Sequence, residues 1–245
     1  MYTREEFEAM RIAKAGEMAQ DNKLQKEALD VLVKADHYNW IHQTTWFGEP
    51  ILNLPQDMFA FQEIIFNTRP DYIIEIGVAW AGSLLFYSTL MDIVGGKEII
   101  GIDVYIPDDL IDRIRKKGKI SDRINWISGS SIDQNIVERV KSIIGDNKNV
   151  FVVLDSNHSR EHVSKELEIY SHFVGKGNYI VCGDTIIEDL PENVHGSRTW
   201  GKGNNPKAAL TDFLTKTSRF EIDRQIENKL LFSCNPGGYL KCVKD

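Results

Sequence analysis

From Gln56 onward the chain alternates short, almost wholly apolar runs with longer amphipathic stretches. The apolar runs are Tyr72–Gly77, Glu98–Val104, Ile124–Gly129, Val150–Asp155 and Tyr179–Asp184. Consecutive rather than alternating apolar positions predict strands covered on both faces. Between them lie helical patterns over Ser83–Val94, Pro107–Lys116, Ile132–Ile144 and Arg160–Phe173, and Pro206–Thr217 follows the last. That alternation predicts right-handed βαβ units and an α/β fold with a mostly parallel sheet. Phe220–Arg224, Leu230–Cys234 and Tyr239–Val243 read as further strands. The turn Asn235-Pro236-Gly237-Gly238 should join the last two in a closing antiparallel hairpin.

The first 36 residues read as two helices, and His37–Pro55 as an aromatic, turn-prone segment with poor helical periodicity. The expected division is therefore 1–55, a helical and aromatic segment on the acceptor side, and 56–245, the α/β domain.

The 245 residues carry 29 basic and 36 acidic side chains, a net charge of −7 that repels a phosphate backbone, so nucleic acid is not expected as a partner. The longest uncharged stretch, Ile76–Met91, is short for a bilayer span and broken by glycines. No basic leader precedes an apolar run, so no signal peptide is expected. Three cysteines without a CxxC pair fit a reduced, cytoplasmic protein. Cys182 reads as core, while Cys234 and Cys242 are placed to face each other across the expected hairpin. The basic cluster from Arg113 to Arg123 reads as a solvated helix end.

Ligands of open α/β sheets bind beyond the carboxyl ends of the strands, so the residues there carry the candidate chemistry. After the first strand comes Glu75-Ile76-Gly77-Val78-Ala79-Trp80-Ala81-Gly82-Ser83. Gly77 permits a sharp turn, and Gly82 is expected to let a ligand approach the next helix. Ala79 stands where the dinucleotide fingerprint needs its second glycine, and Glu75 suits a cationic ligand better than a pyrophosphate. Asp103 ends the second strand, where an acid accepts both hydroxyls of a ribose or caps a helix. Ser130 and Ser131 follow the third strand, as an adenine contact or an N-cap. The fourth strand runs into Asp155-Ser156-Asn157-His158-Ser159-Arg160-Glu161-His162, where His158 can take a proton near neutral pH. Asp184 ends the fifth strand, close enough to Asp155 to share a hard cation. Zinc is disfavoured for want of a Cys/His cluster. His162 and His172 are expected on the outer helix face.

Taken together, these residues resemble class I S-adenosylmethionine-dependent methyltransferases, and more closely the cephalosporin hydroxylase / rhamnosyl O-methyltransferase family. The likeness extends to Trp46-Phe47-Gly48, Pro55-x-Asp57, Gln62, Arg69-Pro70-Asp71 and Asn235-Pro236-Gly237-Gly238-Tyr239-Leu240, from about residue 38 to the end. It implies a Rossmann-like seven-stranded sheet that binds S-adenosylmethionine, and methyl transfer to a hydroxyl of a sugar or glycosylated small molecule. Hydroxylation is not implied, because no two histidines and a carboxylate converge on a facial iron site.

The residues then take expected roles. Asp155 and His158 are catalytic, the latter as base or cofactor contact. Glu75, Gly77, Gly82, Ser83, Asp103, Ser130, Ser131 and Asp155 bind the cofactor. Asp155 and Asp184 hold magnesium weakly, because Gly183 stands where relatives place a third acid, and Gly183→Glu is expected to tighten the site. Trp40, Trp46 and Phe47 form an acceptor wall or pack on the N-terminal helices. Homo-oligomers are compatible with all of this. The competing readings are a catechol- or phenol-type O-methyltransferase, a catalytically silent S-adenosylmethionine-binding protein, and a dinucleotide-binding oxidoreductase, the last opposed by Ala79.

Overall fold

The computed structural model describes residues 2–192 and 198–245. Seven strands form one sheet in the order β5-β4-β3-β6-β7-β9-β8. These are β3 (Tyr72–Ile76), β4 (Glu98–Asp103), β5 (Ile124–Ser128), β6 (Val150–Leu154), β7 (Tyr179–Cys182), β8 (Phe220–Ile222) and β9 (Tyr239–Cys242). β3 pairs in parallel with both β4 and β6, and β7 extends that parallel set. β9 inserts antiparallel between β7 and β8.

The expected strands form at their predicted places because apolar positions serve both faces of the sheet. Ile73, Ile99, Phe151, Val153 and Val181 pack toward α3 (Pro55–Thr68), α4 (Gly82–Val94) and α5 (Asp108–Arg115). Their neighbours Ile74, Ile100, Val152, Leu154 and Ile180 pack toward α6 (Gln134–Ile144), α7 (Arg160–Tyr170) and α8 (Pro206–Lys216). A side-chain period of two thus feeds two cores.

The antiparallel closure occurs, but with a different partner from the one expected. Leu230–Cys234 forms no strand; β9 pairs with Phe220–Ile222 instead, across a connection holding the short helix α9 (Arg224–Glu227). A carboxylate explains the difference. Buried Asp57 of α3 accepts from Ser233 Oγ at 2.6 Å, the Cys234 N–H at 2.8 Å and the Tyr239 hydroxyl at 2.5 Å. The Cys234 N–H is thereby committed to that side chain, and the Cys234 carbonyl accepts the Ile186 N–H at 3.1 Å, so neither is left for a ladder. Cys182, Cys234 and Cys242 are all free and buried, so the expected facing of Cys234 and Cys242 does not make a disulfide.

At the N-terminus, α1 (Arg4–Gln20) buries none of its residues, whereas α2 (Asn22–Asp36) buries Ala28 and Leu32. The aromatic segment makes a small hairpin of β1 (Thr45–Trp46) and β2 (Glu49–Pro50), turning through Phe47 and Gly48 at positive φ. Trp46 donates to Thr89 Oγ1 at 3.1 Å and stacks edge-on against Phe86. Buried Glu49 accepts from Arg113 Nε at 2.9 Å and Lys117 Nζ at 3.0 Å. Part of the basic cluster therefore fixes this hairpin rather than facing solvent alone.

Candidate active site

The sheet reverses its strand order beside β3, the switch point at which open α/β sheets bind ligands. A cavity of about 730 Å3 lies there, walled by the ends of β3 to β7 and, on the far side, by Leu32, Val33 and Asp36 of α2. That volume suits a nucleoside-sized ligand together with part of a second one.

The ends of β3 and β6 touch. A Cβ on Gly77 would lie 1.9 Å from the Asp155 carbonyl oxygen, and its φ is +96°, so only glycine turns the chain there. Gly82 has a different role from the one expected. Its missing Cβ makes room for the Pro50 and Glu49 carbonyl oxygens, at 2.3 and 2.6 Å, and it does not line the cavity. Ser130 also lies outside the cavity lining. Glu75, Gly77, Ser83, Asp103, Ser131, Asp155, His158 and Asp184 all line it.

Glu75 is buried at the floor and accepts from Ser83 Oγ at 2.7 Å. Burial, reinforced by Asp103, pushes its carboxyl up to about 8 despite hydrogen bonds from Ser83 and Tyr87. Asp103 Oδ2 accepts the Val78 and Ala79 N–H groups at 2.8 and 3.4 Å, and Oδ1 accepts that of Tyr105 at 3.1 Å. The acid thus clamps the glycine loop while its remaining lone pairs stay available.

Ser131 does not cap α6, which starts from Asp133. Its hydroxyl donates to buried Glu166 Oε1 at 2.5 Å. His162, expected on an outer face, instead lines the cavity and lies 3.1 Å from Glu166 Oε1. The spacing from His162 to Glu166 is one helical turn, and that was the signal available to find it.

Across the cavity, Asp155, His158 and Asp184 converge, with one donor atom of each lying within 4.8 Å of the others. His158 Nε2 is 3.2 Å from Asp184 Oδ2. Burial and the charges of Asp184, Glu75 and Glu166 raise the Asp155 carboxyl well above the usual carboxylate range. Asp184 adopts a left-handed backbone at φ 52°, held by donation of its N–H to Asn235 Oδ1 at 3.0 Å. Thr185 donates to the Pro236 carbonyl at 2.9 Å, and Gly238 admits the Cys182 carbonyl oxygen 2.2 Å from where a Cβ would lie. The Asn235–Leu240 motif therefore aims Asp184.

Trp40 packs on Phe232 and Trp46 on Phe86, while Phe47 is exposed with its ring edge-on to Trp46; none of the three lines the cavity, so the expected acceptor wall does not form there. The indole rings of Trp80 and Trp200 do line it. The Trp200 ring meets His158 edge-on at 5.1 Å and carries Arg198 over its face at 4.6 Å. Trp80 belongs to the loop read after the first strand, whereas Trp200 was not legible in a segment without periodicity.

A seven-stranded, mostly parallel sheet with an antiparallel β9, a glycine turn after β3 and acids ending β4 and β6 define a class I methyltransferase. Residues 38–243 match the family model Rhamnosyl O-methyltransferase/CmcI. The chain belongs to this family, and with it to the S-adenosylmethionine-dependent O-methyltransferases. It is 24% identical over 216 residues to a rhamnosyl O-methyltransferase of Mycobacterium bovis, covering 85% of this chain and 84% of that one. A rhamnosyl O-methyltransferase of Mycobacterium leprae is 25% identical over 167 residues, covering 65% and 70%. Among solved structures, CmcI superposes without ligand at a TM-score of 0.56, 18% identity and coverage of 83% and 78%. Its Mg–SAM complex gives 0.56 at 19% identity, covering 82% and 77%.

Proposed function

We propose that this chain transfers the methyl group of S-adenosylmethionine to a hydroxyl of a sugar or glycosylated small molecule or glycan. The carrying observation is the convergence of Asp155, His158 and Asp184 beside the glycine turn, in a chain that belongs to this family. The names of the rhamnosyl O-methyltransferase relatives support the acceptor class.

The residues fit a divalent cation. Two carboxylates and an imidazole offer donors within 4.8 Å of one another. Nearby carboxylates raise Asp155, so a cation relieves a repulsion already present. Asp155 and Asp184 would hold magnesium, consistent with the Mg–SAM complex of CmcI. A bound divalent cation supplies charge stabilisation to an oxygen that becomes anionic.

The chain's own groups do the rest. Asp103 accepts the ribose hydroxyls, and Glu75 lies under the positively charged sulfonium end. Ser83 keeps Glu75 oriented. In the transfer the S–CH3 bond breaks as the acceptor O–CH3 bond forms, and the hydroxyl proton passes to His158. Donation from His158 Nε2–H to Asp184 leaves the other ring nitrogen with the lone pair that takes it. Residues 1–55 act as the acceptor-side cover of the 56–245 domain; the placing of Leu32, Asn39 and His42 on the cavity supports this.

Among the described residues no helix is long and apolar enough to cross a membrane. Three free cysteines support a cytoplasmic site of action, and the net charge of −7 supports the absence of a nucleic-acid partner.

The test is incubation with labelled S-adenosylmethionine and a panel of rhamnosides, macrolides and catechols, beside calorimetry with S-adenosylhomocysteine and NAD. Label in a glycoside is the expected result. Label in catechols alone would establish the phenol-type alternative, and cofactor binding without transfer to any acceptor would establish a silent binding protein. Binding of NAD in place of S-adenosylhomocysteine would overturn the reading altogether.

A further inference from the structure

Glu166 is a buried carboxylate to which the proposed reaction gives no part. It sits on α7, wholly inaccessible, behind the cavity wall and not in it. Its Oε1 accepts the Ser131 hydroxyl at 2.5 Å and the Ser156 hydroxyl at 2.8 Å, and lies 3.1 Å from His162 Nε2. Its Oε2 is buried without a partner. The three side chains that converge on Oε1 all face the cavity: Ser131 follows β5, Ser156 follows β6 and His162 lies one turn before Glu166. Ser131 is fixed further by the Tyr170 hydroxyl, which donates to its carbonyl at 2.9 Å.

A carboxylate this deep requires donors, and the two serines supply them. Each serine hydroxyl has a single hydrogen. Once that hydrogen is committed to Glu166, Ser131 and Ser156 present only lone pairs to a ligand. Ser131 Oγ also lies 3.2 Å from His162 Nε2, so without the carboxylate it is Ser156 above all whose hydroxyl would rotate to donate or accept as a ligand required.

We infer that Glu166 is a positioning residue that sets base specificity: it makes Ser131 and Ser156 obligate acceptors, so the wall next to Asp103 selects a nucleobase edge that donates, as the 6-amino group of adenine does, over a 6-oxo purine. This rests on the assignment of the cavity to S-adenosylmethionine. It goes beyond that assignment in giving the discrimination to a residue that never touches the ligand.

The experiment is calorimetry of the full chain with S-adenosylhomocysteine and with its inosine analogue, S-inosylhomocysteine. The wild type should prefer the adenosine ligand by about tenfold or more, since a carbonyl set against fixed acceptors leaves buried polar atoms unpaired. Glu166→Met frees the Ser156 hydrogen and leaves Ser131 with His162 Nε2, 3.2 Å from its Oγ, as its remaining side-chain partner; the preference should fall below about threefold, chiefly through tighter binding of the inosine ligand. A merely structural role would weaken both ligands together and leave their ratio alone, and that result overturns the inference. Should Glu166→Met fail to fold, the double variant S131A/S156A decides: with both acceptors gone and Glu166 present, the preference should again fall below about threefold. A ratio retained there overturns the inference as well, as does a wild type that binds the two ligands equally. A wild type that binds neither overturns the cofactor assignment first and this inference with it.

Discussion

The two ends of the cavity treat their charged groups in opposite ways. At the β4 end the carboxylate has internal donors: Asp103 holds three backbone N–H groups of the chain around it. Behind the wall that runs from β5 to β6, Glu166 likewise holds two serine hydroxyls on Oε1. At the β6–β7 end, Asp155 and Asp184 stand together with His158 between them, and the carboxylates around them raise Asp155. The first end is assembled before any ligand arrives. The second is held in mutual repulsion by the fold and is relieved by a proton or a cation. A preformed seat suits a cofactor that is the same in every turnover, while an unsatisfied acid pair suits a step in which charge develops.

The largest effects should come from the unsatisfied end. His158→Ala is expected to lower turnover about a hundredfold or more while S-adenosylhomocysteine affinity stays nearly intact. Near-normal turnover in that variant would move the proton to Asp155. It would also remove the functional half of the contrast between the two ends.

Between the ends sits Glu75, whose carboxyl is pushed up to about 8 by burial. The folded state therefore binds a proton there that the unfolded chain, near 4.5, releases. Its contribution to stability is complete below about pH 4.5 and is lost as pH rises to about 8, at about 1.4 kcal/mol per pH unit at most. Glu75→Gln should flatten the fall of Tm between pH 6 and 8. S-adenosylmethionine, whose sulfonium is cationic, should release a proton on binding that S-adenosylhomocysteine does not, read by calorimetry in buffers of different ionisation enthalpy. Equal proton release with both ligands would show that Glu75 does not sense the sulfonium.

At the preformed end the expected effect is smaller. Asp103→Ala should weaken S-adenosylhomocysteine by about 1–3 kcal/mol, through lost charge-assisted hydrogen bonds to the ribose. Part of that loss should appear as a lower Tm, because Val78, Ala79 and Tyr105 lose their acceptor too. Unchanged affinity would remove Asp103 from the cofactor seat.

What the sequence made legible follows the same division. The parallel strands and the acids that end them were readable because a buried strand is a continuous apolar run that ends where polarity returns, as at Asp103 and Asp155. Groups defined by a side chain from elsewhere were not. Leu230–Cys234 has the composition of a strand, yet Asp57, some 177 positions away, takes the backbone hydrogen bond of Cys234. Gly82 looked like a ligand contact because its reason, the carbonyls of Glu49 and Pro50, belongs to a hairpin that periodicity did not reveal. Trp46 was read by its stacking surface, and its indole is spent on Thr89 and Phe86. His162 was recoverable in principle, since Val163, Glu166, Leu167 and Tyr170 mark the buried side of α7 that it adjoins.

The smallest expected effect tests whether the acid pair is limited by charge or by approach. By charge alone, Gly183→Glu should supply the missing third carboxylate and tighten magnesium. The structure adds an opposing term. A Cβ at position 183 would lie 2.7 Å from the Leu154 carbonyl oxygen and 3.1 Å from Asp155 Oδ1. The Gly183 N–H donates to that same carbonyl at 2.8 Å, so bare backbone here is what lets the end of β7 approach the end of β6. A glutamate would add an anion and push apart the two strand ends that carry Asp155 and Asp184. We expect wild-type activity to rise with magnesium into the millimolar range, a two-carboxylate site leaving most of the ion's shell to water. Gly183→Glu should then raise magnesium affinity by less than about tenfold, roughly 1.4 kcal/mol, while lowering Tm. Gly183→Ala should lower Tm by a similar amount with no gain in affinity. Magnesium titration followed by Tm and by turnover reads both quantities in one series. A gain of a hundredfold at unchanged Tm would mean that charge alone sets the site. Full wild-type activity after exhaustive chelation would take the cation out of the acid pair and leave its repulsion to be relieved by a proton.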